Sequence, residues 1–236
     1  MPKNILLIAA LPEEADAFHP GQGVIVQTAP HPMRVIEQAG IRIKIVTCGL
    51  GKVNAALAIG CYADADCVLV AMIGTCGRIA DIEGDKFWIA RAIQHDYGAL
   101  GSVGFTHYHA GDWPMGEARD PAFTAMPDPG SGLPHANIIS GDVFLECPAT
   151  ATALAAQLNA QLVDMEVAAV AQAAELLGLP WCAIKVVTDG ADGESAGDFS
   201  ANLQRAARKA GEAMEKTLLP YLIAARVMAC ELAAVE

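Results

Sequence analysis

Three stretches of the chain are almost uninterrupted in their hydrophobicity: residues 4–10 (NILLIAA), 67–73 (CVLVAMI) and 181–187 (WCAIKVV). Runs of this length, rich in aliphatic and β-branched residues, predict strands buried on both faces of a sheet. Residues 41–47 (IRIKIVT) alternate apolar and polar positions, which predicts a half-exposed strand. Residues 23–38 predict two short strands around the turn Pro30-His31-Pro32. Two further strands are expected over 86–97 and from 136–140 into Gly141-Asp142-Val143-Phe144, and a short extended piece over 162–165. Between them fall helical patterns. A short helix starts at Pro12, whose fixed φ suits a first turn. Others are expected from the Gly49-Leu50-Gly51 turn to Gly60, over 149–160, over 166–177 (EVAAVAQAAELL) and over 201–218, the last capped by Asp198 or Ser200. Pro220 is expected to bend that helix into a final amphipathic segment. Residues 99–135 are the least regular, and so long a loop in a compact domain is usually functional or mobile. Strands alternating with helices and no linker predict a single α/β domain over residues 1–236.

Composition narrows the class. With 53% hydrophobic residues in 236, the chain has enough apolar surface for a sizeable core. A net charge of −12 with no clustered basic face argues against nucleic acid as a partner. The opening Met1-Pro2-Lys3-Asn4 leads straight into a strand pattern rather than a signal peptide, and the apolar C-terminal run is broken by Pro220 and Arg226, so no membrane span is expected. Of seven cysteines, Cys48, Cys61, Cys67, Cys76 and Cys182 lie in apolar or glycine-rich surroundings without CxxC spacing, and they read as reduced, buried thiols of a cytoplasmic protein. His107 and His109 stand two residues apart with no third ligand at a recognisable spacing, so they read as surface histidines, and no metal or cofactor is expected.

Polar clusters interrupt the pattern where the buried strands end. In open α/β sheets the carboxyl ends of the strands face the ligand crevice. Asp189, in Thr188-Asp189-Gly190, follows the 181–187 strand and reads either as a turn residue or as an acid aimed at a substrate. Glu14 follows the first strand; it suits a helix start, and it can also reach the same crevice. Glu166 opens a helix too apolar to lie on the surface, so it reads as a helix-start acid or as one facing a pocket. Thr75, in Gly74-Thr75-Cys76-Gly77, fits a sugar hydroxyl or a loop cap. Gly49-Leu50-Gly51-Lys52 fails both nucleotide-loop patterns, since Asn54 replaces the third glycine of GxGxxG and GxxxxGK[ST] is absent.

Taken in order, LPEEADAF, CGLGKVNAA, IGTCGRI, His95-Asp96, ISGDVF, VDMEVAAVA and KVVTDGAD resemble the nucleoside phosphorylase superfamily over nearly the whole chain. Within it they resemble most the bacterial 5′-methylthioadenosine/S-adenosylhomocysteine nucleosidases. The resemblance implies a three-layer α/β/α sandwich around a mixed, partly barrel-like sheet, a homodimer, a small nucleoside substrate and a part in methionine salvage. It places the water-activating carboxylate on Glu14, the acid towards the purine N7 on Asp189 and the carboxylate on the sugar hydroxyls on Glu166, with Met165 covering the ribose. Thr75 falls near the ribose, Phe144 on the base with Leu145 beside it, and Leu11, Leu50 and Phe199 along the 5′-thio pocket. Lys185 stands where the family commonly has arginine, and Thr188 where it has serine. The wall contributed by a partner subunit falls in 99–135, with Phe105 and Pro114 as candidates.

Three acids without a metal suffice for breaking an N-glycosidic bond. One stabilises the departing base, one the oxocarbenium-like sugar, and one activates water. Phosphorolysis, a futalosine-type nucleosidase and a nucleoside-binding protein without activity are the alternatives. Phosphate calls for cations, yet Met72 stands where related phosphorylases carry arginine, and a carboxylate stands in the first loop.

Overall fold

The computed structural model describes residues 3–38 and 40–233. Twelve strands and five helices follow one another as β1 (Asn4–Ala9), α1 (Pro12–Ala17), β2 (Val24–Gln27), β3 (Met33–Gln38), β4 (Ile41–Thr47), α2 (Lys52–Tyr62), β5 (Cys67–Arg78), β6 (Lys86–Gln94), β7 (Gly98–Gly101), β8 (Gly104–His107), β9 (Ala122–Thr124), β10 (His135–Ser140), α3 (Pro148–Leu158), β11 (Leu162–Asp164), α4 (Val167–Leu176), β12 (Trp181–Asp189) and α5 (Ser195–Ala233).

The main sheet runs β11-β10-β6-β12-β5-β1-β4-β3-β2, with β9 added on β6. Its central pairs β1–β4, β1–β5 and β5–β12 are parallel, whereas β12–β6 is antiparallel, so the sheet is mixed. One more pairing closes part of it. The far end of β5 meets β11 antiparallel, Gly77 opposite Val163 and Arg78 opposite Leu162. Strands β5, β12, β6, β10 and β11 thus form a closed ring with the open sheet continuing from β5.

Alternate residues of β1 serve two cores, as a strand buried on both faces requires. Leu6 and Ile8 pack with Ala55, Ala58 and Ile59 of α2 and with Val167, Val170 and Ala171 of α4. Ile5, Leu7 and Ala9 pack on the other face with Phe18 beyond α1 and with Ala206, Ala210 and Met214 of α5. A third cluster packs α3, through Ala151, Ala155 and Leu158, on Ile93, Ile139 and Val163. The result is the expected mixed α/β sandwich, closed at one end into a barrel. Small residues carry much of α4: Ala168, Ala169, Ala171 and Ala174 are all buried, and side chains so short let a helix pack closely on its neighbours.

Several local expectations are corrected. Strand β5 does not stop at Ile73 but continues through Gly74-Thr75-Cys76-Gly77-Arg78, because β12 and then β11 pair with it there. Strand β12 includes Asp189, and β10 ends at Ser140, leaving 141–147 irregular. Helix α5 begins at Ser195, six residues early, so Asp198 and Ser200 lie within it; the Ser200 hydroxyl donates to the Ala196 carbonyl. Helix α5 also continues past Pro220, which is exposed, so water can reach the carbonyl its ring leaves unbonded. The amphipathic pattern expected beyond it falls on side chains outside the described ones. Residues 99–135 contain the β7–β8 hairpin and β9. His107 and His109 are buried, not on the surface: His107 Nε2 lies 2.9 Å from the His95 carbonyl and His109 packs on Phe123. Cys48, Cys67, Cys76 and Cys182 are buried free thiols, whereas Cys61 is exposed on α2.

Candidate active site

Glu14 reaches the sheet because Leu11-Pro12 turns the chain out of β1 directly into α1. The third residue of that helix then points back at the strand end. Its Oε2 accepts the N–H groups of Ala10 and Leu11, both at 3.1 Å. Its Oε1 accepts the Thr75 N–H at 2.8 Å and the Thr75 hydroxyl at 2.9 Å. Four donors thus hold a carboxylate that is 2% exposed. Gly74 makes this approach possible: a Cβ there would sit 2.8 Å from Glu14 Oε1 and 3.0 Å from Lys185 Nζ.

Asp189 closes β12. Its Oδ1 accepts the Ala191 N–H at 3.0 Å, and the Thr188 hydroxyl lies 2.9 Å from Oδ2 and 3.2 Å from the Cys76 carbonyl. Gly77 on the neighbouring strand leaves space for it, since a Cβ would come within 2.9 Å of Oδ1. Asn202 of α5 donates to the Thr188 carbonyl at 2.9 Å and fixes the strand end.

Glu166 sits at the N-cap position of α4, 4% exposed, and accepts the Gly51 N–H at 2.9 Å. Burial and the nearby Asp164 carboxylate push its pKa up to about 8 from an ordinary 4.5, while Lys185 and the Gly51 N–H oppose the rise. A carboxyl raised on folding stabilises the fold below its unfolded pKa, and that contribution is lost as pH climbs through the folded value. Glu166→Gln keeps an acceptor for Gly51 and has no proton to lose. It is expected to gain melting temperature relative to wild type from pH 4.5 to pH 8. Melting curves that stay parallel across that window would contradict this.

The sequence assigns no role to two groups behind the acids, Lys185 and Asp164. Lys185 is 1% exposed and pairs with Asp164 at 2.8 Å. Burial disfavours its ammonium, but Asp164, Glu166 and Glu14 outweigh that and hold its pKa above the ordinary value. Asp164 also accepts the Ser140 hydroxyl at 2.5 Å and the Val167 N–H, so it caps α4 from the preceding strand. The available signal was an Asp two residues before Glu166 and a lysine inside an otherwise apolar strand. A lysine there needs a buried anion.

Ala10, Leu11, Glu14, Leu50, Thr75, Cys76, Gly77, Val143, Phe144, Leu145, Val163, Asp164, Met165, Glu166, Thr188, Asp189 and Phe199 line one cleft of about 670 Å³, its open mouth included. All eleven candidate residues are among them; Phe105 and Pro114 are not. Glu14, Glu166 and Asp189 all line the cleft, from the carboxyl ends of β1, β11 and β12. The mouth is apolar, with Phe144 and Phe199 meeting edge to face at 6.1 Å and Leu50 and Val143 exposed. Among the described residues no lysine or arginine lines it. Burial also pushes the Cys48 thiol up to about 12 and raises Cys76, which removes both as nucleophiles at neutral pH. No group of three or more potential metal ligands occurs among the described residues.

Four carboxylates, those of Glu14, Asp164, Glu166 and Asp189, beneath an apolar mouth make a strand-end cleft suited to a small molecule. The Phosphorylase superfamily sequence profile matches residues 4–219, and the chain belongs to that superfamily. Among its relatives, the 5′-methylthioadenosine/S-adenosylhomocysteine nucleosidase of Mycobacterium bovis is 28% identical, over 95% of this chain and 100% of its own. The solved 5′-methylthioadenosine/S-adenosyl homocysteine nucleosidase of Helicobacter pylori superposes with a TM-score of 0.80 at 20% identity, covering 92% of this chain and 98% of that one. The futalosine hydrolase of Helicobacter pylori strain 26695 gives 0.79 at 20% identity, with the same coverage. At these identities the structural likeness speaks for the fold.

Proposed function

We propose that the chain hydrolyses the N-glycosidic bond of 5′-methylthioadenosine, S-adenosylhomocysteine or both, releasing adenine and the thioribose. The observation that carries this reading is the convergence of Glu14, Glu166 and Asp189 on one cleft that no cation lines among the described residues. Phosphate as nucleophile would need donors with positive charge. The nearest buried cation, Lys185, is engaged by Asp164. Water is therefore the nucleophile.

Asp189 meets the base at N7 and supplies or shares the proton that lets adenine depart. Glu166 holds the ribose hydroxyls. In the free site its raised pKa spares the cleft a further buried charge; opposite a developing oxocarbenium, its ionised form is unscreened and correspondingly effective. Glu14 orients and deprotonates water. A carboxylate offers about four lone-pair sites, and four donors already fill those of Glu14. Three of them are backbone amides; the Thr75 hydroxyl alone rotates. When it turns to the ribose, a lone pair opens for water, so substrate binding and activation of the nucleophile are linked. Met165 covers the ribose, Phe144 and Leu145 take the base, and Leu11, Leu50 and Phe199 take the 5′ group.

Competition among methylthioadenosine, S-adenosylhomocysteine and futalosine tests this reading. The apolar mouth predicts the highest kcat/KM for methylthioadenosine, and a preference for futalosine would overturn it.

The protein acts as a cytoplasmic homodimer in methionine salvage. Reduced thiols support the compartment, and among the described residues no helix is long and apolar enough to cross a membrane. The dimer is supported by exposed Leu50 in the turn before α2 and exposed Val53 and Leu57 on that helix, together with Val143 and Phe144 at the cleft mouth. Sedimentation is expected to show a dimer, dissociated by Val53→Glu. A stable, fully active monomer would rule it out.

A further inference from the structure

Helix α2 begins without a side-chain cap of its own, yet its first turn is anchored from two distant parts of the chain. The Lys52 N–H donates to Asp142 Oδ1 at 2.8 Å, and the Asp142 N–H donates to Asp96 Oδ2 at 3.1 Å. The Lys52 ammonium donates to Asp96 Oδ1 at 2.6 Å, which closes a ring of three residues. The Gln94 side chain also lies 3.3 Å from that ammonium and donates to Gln172 of α4 at 2.6 Å. None of the three ring residues lines the cleft, but each adjoins residues that do. Gly51, next to Lys52, supplies the N–H on Glu166 Oε1. Val143, Phe144 and Leu145 follow Asp142 directly.

We propose that Lys52, Asp96 and Asp142 are positioning residues of the hydrolytic site: their ring holds the Gly51 amide on Glu166 and the 143–145 segment over the cleft. The assignment rests on the function proposed above. Gly51 has φ +92°, and a Cβ there would stand 3.0 Å from Asp142 Oδ1, so the turn admits glycine and little else. A backbone amide placed this way cannot be steered by its own side chain; it is steered by its neighbours. The Lys52–Asp96 pair is partly exposed, with side chains 19% and 28% accessible, and such pairs add little to global stability. Its consequence is geometric. Burial disfavours the Asp96 charge, but the Lys52 ammonium and the Asp142 N–H outweigh it and keep the carboxylate ionised, so the ring is closed at neutral pH.

Lys52→Met, close to lysine in length but without charge, opens the ring. It is expected to lower kcat/KM for methylthioadenosine by about 10- to 100-fold, the range for small misplacements of site groups, with the melting temperature retained. The pH profile limb belonging to Glu166 should move to higher pH, because a donor to its charged form is lost. Lys52→Arg should restore both. Hydrogen exchange at the Gly51 amide reads the ring without substrate: it should quicken in Lys52→Met and in Asp142→Ala and stay slow in Lys52→Arg. Should wild type release no adenine, the functional reading fails and the exchange result still decides the ring. Wild-type exchange in both folded variants would overturn the proposal. So would loss of the melting transition in Lys52→Met, which would make the ring part of the fold rather than of the site.

Discussion

Asp189→Asn is expected to cut kcat by about 10²–10⁴-fold, the usual contribution of a positioned acid. That corresponds to roughly 3–5 kcal/mol on the barrier. The fold should survive, because the carbonyl of asparagine can take the Ala191 N–H that Oδ1 now accepts. Its amide can face the Thr188 hydroxyl where Oδ2 stands. That hydroxyl has one proton and two neighbours, Oδ2 and the Cys76 carbonyl. Given to Cys76, it leaves Thr188 Oγ1 as an acceptor for a protonated Asp189. The same pocket therefore accommodates both states of the acid, as proton transfer to a purine requires. Steady-state kinetics beside a thermal melt checks this. A variant within a few-fold of wild type would reduce Asp189 to the end of a strand.

Glu14→Gln should be as damaging to kcat, for a different reason. An amide cannot accept a proton from water, so the nucleophile is lost. Affinity for a substrate analogue should fall much less, since Glu14 need not touch base or ribose. The variant should also lose stability. All four partners of Glu14 donate, so a glutamine NH₂ faces donors in either orientation and leaves at least one buried N–H unpaired, at about 1–3 kcal/mol. Glu13→Gln, absent from the cleft, should be nearly silent. A sensitive Glu13 or an indifferent Glu14 would misplace the nucleophile.

Much of this site was legible because its acids interrupt strong patterns. Asp189 ends an apolar run that only a doubly buried strand produces, and Glu14 and Glu166 open helices beside strand ends. The sheet's central strands follow from the same periodicity. What the pattern could not give was set by partners remote in sequence. Strand β5 outruns its apolar stretch because β11 supplies bonds to Gly77 and Arg78. The glycines at 74 and 77 read as a turn, whereas they are strand residues that clear space for two carboxylates. Lys185 looked like a substituted arginine, and only the fold reveals Asp164 at 2.8 Å. His107 and His109 read as surface residues because nothing local announces that the 99–135 segment folds over them.

Water, activated in a cleft that no cation lines among the described residues, is the expected nucleophile at the sugar. The most direct test is to incubate the protein with methylthioadenosine in ¹⁸O-labelled water, with and without phosphate, and to identify the sugar product by mass. Free methylthioribose carrying one label at C1, formed at the same rate in both mixtures, is the predicted result. Methylthioribose 1-phosphate, or adenine release that depends on added phosphate, would contradict it.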